Sequence, residues 1–288
     1  RAIIERCVSD TKDTARIAIT GVPGVGKSSF IEALGNHVLD KGHRLAVLSI
    51  DPSSTRSRGS ILGDKTRMKT LANSTDAFIR PSPTGGSLGG VARKTRETIY
   101  LCEAAGFDII FIETVGVGQS ETAAHSMVDF FLLLMLAGAG DELQGMKRGI
   151  MEMADVIAIN KIDEAPEQAV GRAMRAYRNA LHLQPAPKSG WKTEVTTCSA
   201  ITSEGIAEIW ERIQTYVNLT RGNGYFKTQR NRQAKHWMYE TIESRLKGHF
   251  FGHPQVKRKQ SVIERKVLKG ELSSFQAARQ LWDLYEGS

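Results

Sequence analysis

Along the first three quarters of the chain, short apolar runs alternate with longer stretches whose apolar positions recur every three or four residues. The strand-like runs are RIAIT (16–20), RLAVLSI (44–50), DAFIR (76–80), DIIFIE (108–113), DFFLLLML (129–136), DVIAIN (155–160) and TEVTTCSA (193–200). Most are continuously apolar rather than alternating, the pattern of strands covered on both faces of a parallel sheet. SFIEALGNHVLDKG (29–42) has helical spacing, with Gly42 as its stop. The alternation runs to about residue 217 and predicts an α/β fold built on a doubly wound, mostly parallel sheet. From Tyr225 onward strand candidates cease. WMYETIESRLKGHFF, QSVIERKVLKG and SSFQAARQLWDLYEG read as amphipathic helices, the last capped by Ser273 or Ser274. The expected organisation is the end of a helical segment over 1–15, an α/β domain over 16–222 and a helical C-terminal extension over 223–288. The opening residues, RAIIERCVSD, read as the interior of a helix, so the native N-terminus is expected to lie upstream.

In open α/β sheets ligands gather at the carboxyl ends of the strands. The polar groups of this chain fall there. The first strand runs into Gly21, Val22, Pro23, Gly24, Val25, Gly26, Lys27, Ser28 and Ser29, a Gly-x-x-x-x-Gly-Lys-Ser loop between a strand and a helix. That context defines a P-loop. Its glycines let successive backbone N–H groups curl inward, and with the helix N-terminus they cradle phosphate oxygens. Lys27 is expected to reach the β- and γ-phosphates and Ser28 to ligate Mg²⁺. The other strand ends carry Asp51-Pro52-Ser53-Ser54, Glu113-Thr114-Val115-Gly116, Asn160-Lys161-Ile162-Asp163 and Cys198-Ser199-Ala200-Ile201.

The Asn160-Lys161-x-Asp163 group identifies the base. A carboxylate accepts from both N1–H and the 2-amino group of guanine, whereas adenine has neither donor and leaves the carboxylate unpaired. Sites of this kind reject the wrong analogue by roughly 10⁴ to 10⁵. The Asn160 side chain and Lys161 stem are expected to complete the pocket, and a backbone N–H of Ser199-Ala200 to meet the guanine O6. Hydrolysis departs from the Ras pattern, in which a glutamine orients the attacking water. Here Glu113 replaces the usual aspartate with a longer carboxylate, still able to engage Mg²⁺ directly or through water. Gly116 offers an N–H to the γ-phosphate, and Val117 stands where the glutamine would be. Slow intrinsic turnover is therefore expected. Gln119 is a weak substitute or a surface residue of the switch. Asp51 is placed to hold Mg²⁺ through water. Asp64 either positions water when its loop closes or caps a helix.

Composition narrows the partners. The chain has 288 residues and a formal charge of +8, but its positive residues are dispersed and lack interleaved aromatics, so no nucleic-acid partner is expected. No segment approaches about 20 consecutive apolar residues, so no membrane partner is expected either. Cys7, Cys102 and Cys198 show neither disulfide nor metal spacing and suit a reducing compartment. The aromatic residues of the C-terminal helices fit equally packing against the α/β domain or an interface.

GVPGVGKSS, SIDPSS, GGSLGG, LCEAAGFDIIFIETVGVGQSE, GAGDELQGMKRGIMEMAD and NKID together resemble the MeaB/ArgK GTPases, whose human counterpart is the methylmalonic aciduria type A protein. The resemblance covers essentially the whole chain. It implies a P-loop GTPase that chaperones adenosylcobalamin-dependent methylmalonyl-CoA mutase, gating cofactor loading and protecting the enzyme. It implies a homodimer joined through helical arms, and a location in the bacterial cytoplasm or, for a eukaryotic homologue, the mitochondrial matrix. Carried over residue by residue, it assigns phosphate, metal and water roles to Lys27, Ser28, Asp51, Asp64 and Glu113. It also makes the 140–149 stretch a further switch loop in which Lys147 and Arg148 act. Two other readings are a phosphoryl-transferring kinase of a transport system and a metal-delivery GTPase. The kinase lacks an H-R-D catalytic signature, and His37, His43, His125 and His182 show no ligand spacing with the cysteines.

Overall fold

The computed structural model describes residues 7, 13–50, 68–81, 88–114, 119–138, 148–182, 185 and 187–287. The chain divides into two compact units, Arg1–Arg230 and Asn231–Ser288.

The first unit contains seven strands: β1 (Ala15–Gly21), β2 (Leu45–Ile50), β3 (Ala77–Arg80), β4 (Ile109–Thr114), β5 (Phe130–Leu136), β6 (Val156–Asn160) and β7 (Glu194–Thr197). Their order is β3-β2-β4-β1-β5-β6-β7, with every pair parallel. The helices between them are α1 (Lys27–Asp40), α2 (Lys69–Asn73), α3 (Leu88–Ala104), α4 (Gln119–His125), α5 (Arg148–Met153), α6 (Glu167–His182) and α7 (Ile206–Gly222). Right-handed crossovers send α1 to one face of the sheet and α3, α4 and α6 to the other, because the chain steps from β1 through β2 to β3 in one direction and from β3 through β4, β5 and β6 to β7 in the other. One core joins Ile17, Ile19, Leu45, Val47, Phe111, Leu132 and Leu134 to Phe30, Ile31 and Leu34 of α1 and to Trp210, Ile213 and Tyr216 of α7. The alternate residues Ala18, Ala46, Leu48, Ile110 and Ile112 are buried as well. Burial on both faces is why these strands are uninterrupted apolar runs. β7 is shorter than TEVTTCSA predicts: the Cys198 N–H makes the last bond to β6, to the Ile159 carbonyl at 2.8 Å, and the Ser199 N–H donates instead to the Glu204 carbonyl at 2.9 Å.

The amino ends of the strands are locked by charge. Arg16 forms a two-pronged pair with Glu103 (2.7 and 3.0 Å), and Arg230, from α8 (Tyr225–Gly252), forms another with Asp129 (2.8 and 2.7 Å). Thr14 Oγ1 donates to Glu103 and the Arg16 N–H to Asp129. A buried cluster of this kind holds only when each charge is matched, and removing one member leaves a charge stranded. It fixes the second turn of α8 to β1, α3 and β5.

In the second unit, α9 (Pro254–Leu268) packs on α10 (Ser274–Glu286). Phe250 stacks on Trp282, and His249 hydrogen-bonds the Tyr285 hydroxyl at 2.8 Å. Of the two serines that could cap α10, Ser273 does so. Its hydroxyl accepts the Gln276 N–H while Gln276 returns the bond, a capping box. Among the described residues no helix is long and apolar enough to cross a membrane.

Asp155, just before β6, is partly buried, and desolvation pushes its carboxyl up to about 7 against the lowering influence of the Phe131 N–H and the Tyr216 hydroxyl. The unfolded chain ionises this group near pH 3.9, so the contribution of its neutral form is complete below that value. It is lost as pH rises to about 7, on the order of 3–4 kcal/mol over the window. Denaturant titrations from about pH 4 to pH 8 should show Asp155→Asn gaining on the parent up to neutrality, with a flat difference beyond; a difference independent of pH would refute the assignment.

Candidate functional site

The P-loop leaves β1 at Gly21, deep in the sheet. A Cβ at Gly21 would lie 2.4 Å from the Leu134 carbonyl oxygen of β5, so only glycine lets the loop start there. Val22 and Val25 turn into the core while Pro23 and Gly24 stay exposed, which pins the loop at two points and leaves its crest open. Gly26 caps α1 at φ 89°, a left-handed conformation, and its missing Cβ would stand 3.1 Å from Asn160 Nδ2. The loop thus delivers the α1 N-terminus, with its unpaired N–H groups, to the rim.

Lys27 lies along the loop, donating to the Gly21 carbonyl at 2.8 Å and the Val22 carbonyl at 3.2 Å. Burial pulls its ammonium below the ordinary lysine value, while the Glu113 and Glu121 carboxylates pull the other way. Ser28 and Glu113 meet at the head of α1: Ser28 Oγ is 3.4 Å from Glu113 Oε1. Ser49 Oγ approaches the other oxygen, Oε2, at 3.5 Å. Beside them Thr114 Oγ1 donates to Thr20 Oγ1 at 2.7 Å, joining the ends of β4 and β1. The donor set at Glu113 consists of hydroxyl and carboxylate oxygens, hard ligands suited to Mg²⁺ rather than to thiol-seeking metals. The Ser28–Glu113 separation is near the spacing of neighbouring oxygens around such an ion, roughly 3 Å. These residues fit the magnesium that accompanies nucleotide in P-loop GTPases.

Asn160 ends β6 and is buried. Its Nδ2 donates to the Val25 carbonyl at 2.8 Å, and its Oδ1 accepts the Ala200 N–H at 3.2 Å and the Cys198 thiol at 3.5 Å. Burial pushes the Cys198 thiol up to about 12, so it remains a neutral donor. Asn160 therefore braces the P-loop against the loop after β7, a structural role that its position in the motif does not predict. The brace also engages the Ala200 N–H, the group expected to meet O6. Lys161 follows in a left-handed conformation (φ 62°), with its stem 3.7 Å from the position of a Gly26 Cβ. This turn brings Asp163 to the rim, where its carboxylate is exposed and, among the described residues, makes no hydrogen bond. Ser199 Oγ accepts the Thr202 N–H, and Ile201 is 71% exposed beside them.

The structure thus brings Lys27, Ser28 and Glu113 together at one point of the rim, and Asn160, Lys161, Asp163, Ser199 and Ala200 at another. Asp51, Asp64, Gly116 and Lys147 lie outside the described residues, as do the side chains of Gln119 and Arg148, whose backbones open α4 and α5. Sequence reasoning missed Ser49 and Glu121. Ser49 is a lone polar residue in an apolar strand, and that was its available signal. Glu121 is buried in α4, with Ser120 Oγ 3.3 Å from its Oε2.

Three comparisons bear on this site. A family model described as methylmalonyl-CoA mutase-associated GTPase MeaB matches residues 1–255. A Mycobacterium tuberculosis protein named a probable GTPase is 46% identical over 98% of this chain and 84% of its own length. The Escherichia coli GTPase ArgK is 43% identical over 93% of this chain and 81% of its own length. A mouse protein named the mitochondrial methylmalonic aciduria type A homolog is 47% identical over 92% of this chain and 64% of its own. A crystal structure titled a LAO/AO transport system kinase superposes with a TM-score of 0.74 at 34% identity, covering 99% of this chain and 86% of that one. A hydrogenase maturation factor HypB from Archaeoglobus fulgidus shares the fold, with a TM-score of 0.51 at 17% identity over 75% of this chain and 95% of that one.

Asn160→Ala removes both arms of the brace. It should weaken guanine nucleotide binding by at least about tenfold, the effect of stranding buried hydrogen-bonding groups, with the fold retained. Calorimetric titration with GDP checks this, and parental affinity would show that the two loops need no tie.

Proposed function

The chain belongs to the MeaB family of methylmalonyl-CoA mutase-associated GTPases, and from that premise we propose that it is a chaperone that signals its nucleotide state to a methylmalonyl-CoA mutase. In this reading it gates delivery of the adenosylcobalamin cofactor and protects the loaded enzyme. The observation that carries it is the family match over residues 1–255, whose description names the mutase. The GTPase chemistry on which the reading builds is that of the family.

The geometry at the rim supports the roles of Lys27, Ser28 and Glu113, and the sequence motifs supply those of Asp51, Asp64 and Gly116. Phosphates lie along the P-loop N–H groups, and Lys27 exchanges its contacts with the Gly21 and Val22 carbonyls for phosphate oxygens. Its partial burial strengthens that exchange, because a desolvated ammonium gains more from an anion. Ser28 and Glu113 hold Mg²⁺, with Asp51 acting through water. Bound there, the ion neutralises charge developing on the β- and γ-phosphate oxygens. Asp64 orients the water, whose oxygen forms the new bond to the γ-phosphorus as the bond to the GDP oxygen breaks. Gly116 offers its N–H to the γ-phosphate, and with Val117 in place of glutamine the basal reaction is slow. Asp163 reads guanine through N1–H and the 2-amino group, while the Lys161 stem and Ile201 border the base.

Gln119, Lys147 and Arg148 belong to the segments that answer to the γ-phosphate and relay its loss to the mutase. The second unit offers a face for a second copy of the chain: Met238, Ile242 and Leu246 form an exposed apolar stripe on α8, with Phe275 and Trp282 exposed on α10. Residues 223–288 are the proposed dimer arm. The compartment follows the mutase, cytoplasm in a bacterium or matrix in a mitochondrion.

Adding the mutase should accelerate GTP hydrolysis, and its capture by this chain should differ between GDP and a non-hydrolysable GTP analogue. Unchanged turnover with equal capture in both states refutes the chaperone reading. Because one structural relative is titled a kinase, the same assay should follow labelled γ-phosphate: release to water without label on protein is the expected result. Asp163→Asn should lose GTP preference by roughly 10⁴ and gain affinity for xanthosine triphosphate, measured by competition, and a retained preference for GTP would overturn the base assignment.

A further inference from the structure

Glu113 carries one methylene more than the aspartate of Ras-type switches, and so one more torsion that must be fixed before its carboxylate can serve a cation. Freezing such a torsion costs entropy, and a carboxylate that swings cannot present one oxygen at a constant place. The structure brackets it with two hydroxyls. Ser28 Oγ faces Oε1 at 3.4 Å, from the loop side. Ser49 Oγ faces Oε2 at 3.5 Å, from inside the sheet.

Ser49 is there by register. In the β2–β4 ladder it is the residue paired with Glu113, so both side chains leave the same face of the sheet at the same height. β2 reads LAVLSI and is buried along its whole length. A hydroxyl in the fifth position is the strand's one polar side chain, and a buried hydroxyl is unfavourable unless a hydrogen-bond partner meets it. The partner is Glu113, itself 4% exposed.

We propose that Ser49 is a positioning residue for the magnesium site: its O–H holds Glu113 Oε2, which fixes Oε1 alongside the Ser28 hydroxyl. Ser49 does not ligate the ion. It removes the freedom that the longer side chain introduces, as hydrogen-bonding partners outside a metal's own ligands do elsewhere. This inference rests on the assignment of Glu113 to the ion.

The test uses the full chain and a fluorescent GDP, with Mg²⁺ as the titrant. Affinity is measured first in excess EDTA and then across a Mg²⁺ series. Ser49→Ala should require about tenfold more Mg²⁺ to reach half of the ion-dependent tightening, the usual effect of losing such a partner. Its affinity in EDTA should equal that of the parent, and Ser49→Thr, which keeps the hydroxyl, should restore the parental Mg²⁺ requirement. Glu113→Gln runs beside them. If Glu113→Gln shifts the requirement and Ser49→Ala does not, the role given to Ser49 is wrong. If neither shifts, the assignment of Glu113 itself fails. A loss by Ser49→Ala that is equal with and without Mg²⁺ marks a packing residue and also overturns the proposal. Should Ser49→Ala not fold, Ser49→Cys, close in shape but a weak donor, is read by the same criteria.

Discussion

The buried amide of Asn160 is the constraint on which the nucleotide end of this molecule depends. The P-loop and the loop after β7 are far apart in sequence and share no strand pairing, yet each must hold its half of one ligand. Asn160 joins them because a carboxamide is at once donor and acceptor. Its Nδ2 takes the Val25 carbonyl and its Oδ1 takes the Ala200 N–H. An aspartate would set an anion against the Val25 carbonyl, and an alanine would strand both backbone groups in a dry site. The brace also explains the glycine at position 26. The P-loop comes so close to Asn160 that a Cβ would crowd its amide, and α1 therefore begins on a left-handed residue.

Much of the fold was legible in local pattern, for a physical reason. A strand buried on both faces must be apolar at consecutive positions, so the five inner strands left a clear mark, while the edge strands β3 and β7 are only partly buried. The P-loop and the Asn160–Asp163 group were legible because the backbone forms they need restrict the residues that can supply them. What was not legible is distance across the sheet. Nothing near Arg230 names Asp129, which lies 101 positions earlier, and nothing near Ser49 names Glu113. Those pairings follow from strand order and register, which the alternation of strands and helices leaves open. The same gap hides the brace made by Asn160: its motif points to the base, and only the β6–β7 pairing and the P-loop crossing reveal that its amide also ties two loops of the protein.

The two ends of the sheet use buried charge in opposite ways. At the amino ends, Glu103 and Asp129 are gripped by guanidinium, hydroxyl and backbone donors at 2.7–3.0 Å. Guanidinium suits that task, since its planar fork matches a carboxylate and stays charged at any ordinary pH. At the carboxyl ends, the hydroxyls flanking Glu113 stand off at 3.4 and 3.5 Å, and Lys27 is a single, partly desolvated ammonium. Lysine suits that end because a compact cation on a flexible stem can leave two backbone carbonyls for a phosphate.

That contrast carries a consequence for how a GTPase can both hold its shape and change it. Short, saturated contacts brace the amino end, so the second turn of α8 has a fixed footing on β1, α3 and β5. At the carboxyl end the Lys27 ammonium rests on two backbone carbonyls that an anion can replace, and a contact completed by a ligand is one whose geometry depends on which ligand is present. GTP and GDP differ by one phosphoryl group, and in the proposed reading that group falls where Lys27, Ser28 and Glu113 converge. The sheet between the two ends is all-parallel and buried on both faces. Its core packing sets it apart from the rim, where the strand ends give way to loops and the contacts of Lys27 can be exchanged.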